Sequence, residues 1–197
     1  MPLYSITENK VTQIKQIGFE KEKNIQTLIE SNCESLLGVK FIKSEYVIGG
    51  HQRGRIDTLG LDNENNPTII EYKLTNNQNV INQGLFYLDW LFDHKGDFEI
   101  AAQKTLGTGV EISWARPRLI LIAESFFDYD KYAVNRIGGN IELWAYRIYG
   151  KDLLYLEPLY LSNKGKSQEE GGQTPPGNGG QLLYTVEDHL KNKSESL

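Results

Sequence analysis

The residues from Arg55 to Lys73 constrain this chain more than any other stretch. Arg55-Ile56-Asp57-Thr58-Leu59-Gly60-Leu61 alternates polar and apolar side chains, and Thr68-Ile69-Ile70-Glu71-Tyr72-Lys73 is a β-rich run. Asp62, Asn63, Glu64, Asn65, Asn66 and Pro67 lie between them and are turn formers. The pattern predicts a β-hairpin. Asp57 falls early on its first strand, while Glu71 and Lys73, two apart on the second, share one face of the pleat. All three side chains can therefore meet at one point on a sheet. Two carboxylates and an amine at one point can hold a hard cation beside a group that stabilises charge or orients water, which is the equipment of metal-assisted phosphodiester hydrolysis. The plainer reading makes Glu71 and Lys73 a surface ion pair worth about 1 kcal/mol or less.

Downstream, Asn76 to Asp93 predicts a helix with a broad apolar face from Val80, Ile81, Leu85, Leu88, Trp90, Leu91 and Phe92, capped by Asn76 or Asn77. Gln83 and Tyr87 are one turn apart and can both project over the hairpin's edge toward Lys73. Gln83 can donate and accept hydrogen bonds, and Tyr87 offers a hydroxyl beside a flat ring. Taken without the upstream residues, Tyr87 reads as a core aromatic and Gln83 as a surface amide.

Asp57, then thirteen residues, then Glu71-Tyr72-Lys73 resembles the PD-(D/E)XK nuclease superfamily. Gln83-Gly84-Leu85-Phe86-Tyr87 matches the Q-x-x-x-Y signature of its RecB-like branch. Gly54-Arg55-Ile56-Asp57 and Tyr87-Leu88-Asp89-Trp90-Leu91 resemble the catalytic domain of NucS-type endonucleases. A lone ExK carries little, but Asp, ExK and QxxxY in this order on strand, strand and helix carry considerably more. One departure is Ile56, which stands where the superfamily's name places a proline. The resemblance implies a restriction-endonuclease-like α/β sandwich, with a mixed central sheet flanked by helices. It also implies a Mg²⁺- or Mn²⁺-dependent nuclease acting on DNA rather than RNA. Asp57 and Glu71 would then bind metal together with the Tyr72 carbonyl, Lys73 would orient or activate water, and Gln83 and Tyr87 would arrange the substrate. In such proteins the first helix often lends an acidic residue, and Glu22 of Glu22-x-x-x-Gln26 resembles it. Glu30 is the competing choice, and a solvated surface glutamate is the plainer one.

Other residues near this stretch divide between roles. Arg55 can grip a DNA phosphate bidentately or simply pair with a carboxylate. His51, in the glycine-rich turn Gly49–Gly54, reads as an exposed spacer rather than a general base. Ile14 to Leu37 predicts one long helix with Ile17, Ile25, Leu28, Ile29, Leu36 and Leu37 on its apolar stripe and Gly38 as its stop. Val39 to Ile48 reads as a strand. A short helix is expected to run to Gly107, followed by an exposed loop to Ser113. Arg116 to Ala123 reads as a buried central strand, Ser125 to Arg136 as a helix, and Asn140–Tyr149 and Leu153–Leu161 as strands. This later half completes the sheet and offers a surface for a homodimer.

At 197 residues, 39% hydrophobic and 24% charged, the chain suits one well-cored domain and a tail. No stretch approaches the roughly 20 apolar residues of a membrane span, and no basic start precedes an apolar core, so the expectation is a cytoplasmic protein. Cys33 alone excludes an internal disulfide and a thiolate zinc cluster. A net charge of −5 is unusual for a protein gripping long duplexes by their phosphates, and it argues for a small footprint or help from another domain. The expected organisation is a nuclease-like domain over 1–162, a flexible linker over 163–181, and a tail over 182–197 that begins a missing second domain or ends the chain natively. The alternative function is non-catalytic: a nucleic-acid-binding or protein-interaction domain on the same fold, with no membrane partner in either case.

Overall fold

The hairpin forms, and it becomes the middle of a larger sheet. In the computed structural model, residues 2–49, 54–74 and 79–162 are described. His51, Asn76, Asn77, the linker over 163–181 and the tail over 182–197 lie outside the described residues.

The chain opens with a two-stranded ribbon, β1 (Leu3–Thr7) and β2 (Lys10–Ile14), turning through Glu8 and Asn9 at φ of 50° and 64°. Two consecutive residues at positive φ make the kind of tight turn that matches strand twist. A short β3 (Gln16–Ile17) follows, then α1 (Glu22–Glu30) and α2 (Cys33–Leu37). This corrects the single helix expected from Ile14 to Leu37. Ile17 is claimed by strand pairing with Ile148, and Ser31 and Asn32 turn their side chains back onto the carbonyls of Thr27 and Leu28 at 2.8 Å each, where the helix breaks. Gly38 ends α2 in the left-handed region at φ 63°, as expected of a glycine after a helix.

Beyond it run β4 (Val39–Ile48), β5 (Gly54–Asp62), β6 (Pro67–Lys73), α3 (Val80–Asp93), α4 (Lys95–Leu106), β7 (Arg118–Ala123), α5 (Asp128–Ile137), β8 (Asn140–Tyr149) and β9 (Leu153–Leu161). The main sheet has the order β3-β8-β7-β6-β5-β4, with β9 also on β8. β4, β5 and β6 form an antiparallel meander, whereas β6, β7 and β8 run parallel. Parallel strands need covered crossovers, and α3, α4 and α5 supply them. β6 and β7 are accordingly almost wholly buried, and their sequences are near-continuous apolar runs. One core layer packs Ile25, Ile29, Leu37, Ile70, Tyr72, Ile120 and Ile122 under α1 and α2. The other packs Ile69, Leu119, Leu121, Leu143, Tyr87, Trp90 and Leu91 under α3 and α4. The fold is thus an α/β sandwich with a mixed sheet and helices on both faces, the class the sequence implied. Among the described residues no helix is long and apolar enough to cross a membrane.

α3 lies unusually close to the sheet because Gly84 faces it. A Cβ on Gly84 would stand 2.9 Å from one Leu119 methyl and 3.0 Å from another. Helix propensity alone favours replacing this glycine, whereas overpacking costs about 1–3 kcal/mol. Gly84→Val should therefore lower the urea midpoint while leaving the m value unchanged. A variant as stable as the parent would contradict the close approach.

Candidate functional site

The geometry of the site begins where the β5–β6 ladder stops. Pairing runs from Leu61↔Pro67 to Thr58↔Ile70, and past that point the two strands separate. Two backbone N–H groups would then be left without strand partners, and buried backbone donors are rarely left unpaired. Side chains take them instead. The Asp57 N–H donates to Glu71 Oε1 at 3.0 Å, and the Tyr72 N–H donates to Asp57 Oδ2 at 3.1 Å. This reciprocal exchange brings Asp57 and Glu71 side by side at the carboxyl end of the parallel strands.

Glu71 is 0% exposed. Burial first, then the neighbouring Asp57 charge, pushes its carboxyl up to about 9. Burial likewise raises Asp57, against the opposing pull of the Tyr72 N–H and Lys73.

α3 reaches in over the pair. Gln83 Nε2 donates to Glu71 Oε2 at 2.9 Å and lies 3.4 Å from the Tyr87 hydroxyl, which accepts the Arg55 N–H at 3.3 Å. Gln83 thus holds Glu71 rather than reaching Lys73. Tyr87 is buried in the core layer and ties down the start of β5. A Cβ at position 54 would stand 2.8 Å from its ring, so glycine is required there.

Lys73 Nζ pairs with Glu22 Oε2 at 3.3 Å, and its side chain is only 13% exposed. Glu22, at the start of α1, therefore stands on the lysine rather than on the Asp57–Glu71 pair. Glu30, the competing acid, is committed elsewhere: it accepts from the Thr58 hydroxyl at 2.7 Å and from Gln26 at 2.9 Å. Arg55 is exposed and paired with Glu45, which also holds Lys23 at 3.1 Å.

One support was not assigned a role from the sequence. Gln26 is 3% exposed, and its Nε2 donates to the Asp57 carbonyl at 2.9 Å, fixing the backbone that carries the first carboxylate. Its spacing from Glu22 was visible, but nothing local marked its target, 31 residues away.

The donor set is hard oxygen throughout. Among the described residues no three His, Cys, Asp or Glu side chains form a ready-made cage. That is compatible with Mg²⁺, which commonly binds through one or two carboxylates and keeps water and substrate phosphate in its remaining positions. Asp57 and Glu71 supply two such carboxylates, and their mutual repulsion is the charge a divalent cation would neutralise.

No family model matches the chain. Over 171 residues it is 34% identical to an uncharacterised protein of Haemophilus influenzae, covering 85% of this chain and 55% of that protein. The chain thus spans about half the length of the curated relative it matches. Among solved structures it is similar to a complex of EndoMS with double-stranded DNA, at 22% identity and a TM-score of 0.46, over 68% of this chain and 51% of that one. It is also similar to EndoMS in its apo form, at 22% identity and a TM-score of 0.43, covering 66% and 48% respectively. A repair endonuclease from Pyrococcus abyssi aligns at 20% identity with a TM-score of 0.39, again over 66% and 48%.

The raised acid has a consequence for stability without metal. Glu71 keeps its proton in the fold to a higher pH than the ordinary 4.5, so between that value and about 9 the folded chain binds a proton the unfolded chain has lost. Its contribution therefore lowers stability as pH rises through this window. In chelator, urea unfolding of wild type should weaken across it more steeply than that of Glu71→Gln. Parallel curves would contradict the assigned burial.

Proposed function

We propose that this chain carries a divalent-cation-dependent nuclease site that hydrolyses phosphodiester bonds in DNA. The observation supporting this most directly is the convergence of Asp57 and Glu71, each bonded to the other's strand, beside a nearly buried Lys73. A scaffold protein would gain nothing from crowding two acids into one buried corner, where their proximity costs free energy.

Bound between Asp57 and Glu71, Mg²⁺ or Mn²⁺ would supply Lewis acidity to the phosphate and a more acidic water. The chain's own groups do the rest. Gln83 keeps Glu71 oriented, and Tyr87 and Gln26 hold the backbone on either side of Asp57. Lys73 can donate to the attacking water or to a non-bridging phosphate oxygen once it turns from Glu22. The Tyr72 carbonyl is a further candidate ligand, and Glu22 would complete the acidic set only on leaving Lys73. Arg55, exposed at the rim, can exchange Glu45 for a DNA phosphate. Water adds to phosphorus, the leaving oxygen departs as a hydroxyl, and the water's protons pass to solvent and to that oxygen. The net charge of −5 fits a small footprint whose sign is reversed locally by the bound cation.

The test uses the full chain with Mn²⁺ or Mg²⁺ on branched, single-stranded and duplex DNA. Lys73→Ala and Asp57→Ala should each reduce cleavage about a hundredfold or more with unchanged circular dichroism. Retained cleavage in both variants would end the reading. DNA binding without cleavage or Mn²⁺ uptake would favour the non-catalytic alternative.

A further inference from the structure

The pleat of the β4–β5 ladder reverses at one level, and that level is the candidate site. Ser44 pairs with Thr58 and Tyr46 with Ile56, which puts Glu45 across from Asp57 between them. Regular alternation would place Ser44 and Tyr46 on one face of the sheet, and Thr58 and Ile56 likewise. Neither pair obeys this. Ser44 and Thr58 bond to α1 through Gln26 and Glu30, whereas Tyr46 and Ile56 pack in the layer under α3 and α4. In β4 the reversal is carried by Glu45, which holds φ 54°.

Glycine adopts that left-handed backbone freely, and asparagine or aspartate tolerates it, but glutamate does so only with strain. What its side chain gains there is a bridge between two cations. Glu45 accepts from Lys23 Nζ at 3.1 Å and pairs with Arg55 Nε through its other carboxylate oxygen. Both cationic side chains are more than half exposed, and ion pairs in that setting add little stability. The Ser44 hydroxyl lies 3.3 Å from the same ammonium and 3.3 Å from Gln26 Nε2, which also holds the Asp57 carbonyl at 2.9 Å. Strained residues that packing does not explain concentrate at ligand sites, and this one stands a single side chain away from the backbone of Asp57.

We propose that Lys23, Arg55 and the Ser44 hydroxyl form a seat for a DNA backbone phosphate flanking the scissile one, and that the Glu45 carboxylate is a built-in stand-in which this phosphate displaces. The chemistry matches. Carboxylate and phosphate present the same paired oxygens to a guanidinium, and lysine supplies a point charge to either. Binding carries the work of opening the Glu45 bridge, which favours a polymer already held at the Asp57 centre over a free anion. The choice of DNA as occupant rests on the nuclease reading, whereas the seat itself rests on the geometry of Glu45 and its two cations.

Fluorescence anisotropy of a labelled branched DNA with the full chain in chelator reads binding without cleavage. Glu45→Gln should bind about tenfold more tightly than wild type. The gain should vanish when Lys23→Gln or Arg55→Gln is added, and either of these alone should reduce the slope of log affinity against log salt by about one. Glu45→Gly, whose backbone suits this position, should tighten binding likewise and raise the metal-free Tm. Glu34→Gln removes an equal charge from the exposed face of α2. A gain there as large as that of Glu45→Gln would reveal a general charge effect and overturn the seat. Unchanged affinity in both Glu45 variants overturns the DNA seat, and Mn²⁺-dependent cleavage that persists alongside leaves the nuclease reading standing. If Glu45→Gln then takes up inorganic phosphate in calorimetry and Lys23→Gln abolishes that uptake, the occupant is the free ion and not a backbone. The expected pattern in a wild type that cleaves nothing upholds the seat and removes the nuclease. No binding by wild type or variants overturns the seat outright.

Discussion

Two side-chain-to-backbone hydrogen bonds organise the candidate site of this molecule. Once β5 and β6 part after Thr58 and Ile70, the N–H groups of Asp57 and Tyr72 need acceptors, and the carboxylates of Glu71 and Asp57 provide them. The same bonds force the two acids together. Structural need and the chemical capacity proposed for the site thus rest on one pair of residues, whose joint ionisation burial and mutual proximity oppose.

The rest of the fold holds that corner rigid. From the α1 side, Gln26 grips the Asp57 backbone, and the Thr58 hydroxyl, bound to Glu30, lies 3.3 Å from that of Tyr72. From the opposite side, α3 is let down onto the sheet by Gly84, which brings Gln83 within reach of Glu71. At the far end of the parallel strands Arg118 makes two bonds of 2.8 Å to Glu142 and one of 2.9 Å to the Leu37 carbonyl, tying β7, β8 and α2 together. A buried, fully bonded pair of this kind fixes geometry more than it adds stability. Reactive groups therefore gather at the carboxyl ends of the strands, where open α/β sheets commonly place their ligands.

Most elements were legible in the chain because their signals are local. Alternation and turn residues mark the hairpin, continuous apolar runs mark the buried strands, and the glycine after Leu37 marks a helix end. Asn140–Tyr149 reads as a strand with one slip, and the register with β9 indeed shifts between Leu143 and Trp144. The amino-terminal region was misread for the opposite reason. Ile17 fits a helical stripe, and only pairing of β3 with Tyr149 and Ile148, more than 130 residues onward, makes it strand, while Ile14 pairs with Leu3 in the opening ribbon. Tertiary pairing outweighs a weak periodic preference.

The sequence by itself determined which chemistry was available: two acids, a lysine, an amide and a phenol at spacings set by the pleat and the helical turn. Those spacings act over a few residues, so they can be read directly. Tertiary structure decided which groups meet. It turned Gln83 to Glu71 and Glu22 to Lys73, and spent Glu30 on Thr58. Each of these meetings depends on how separate strands and helices align in space, and residue order alone carries no record of that alignment.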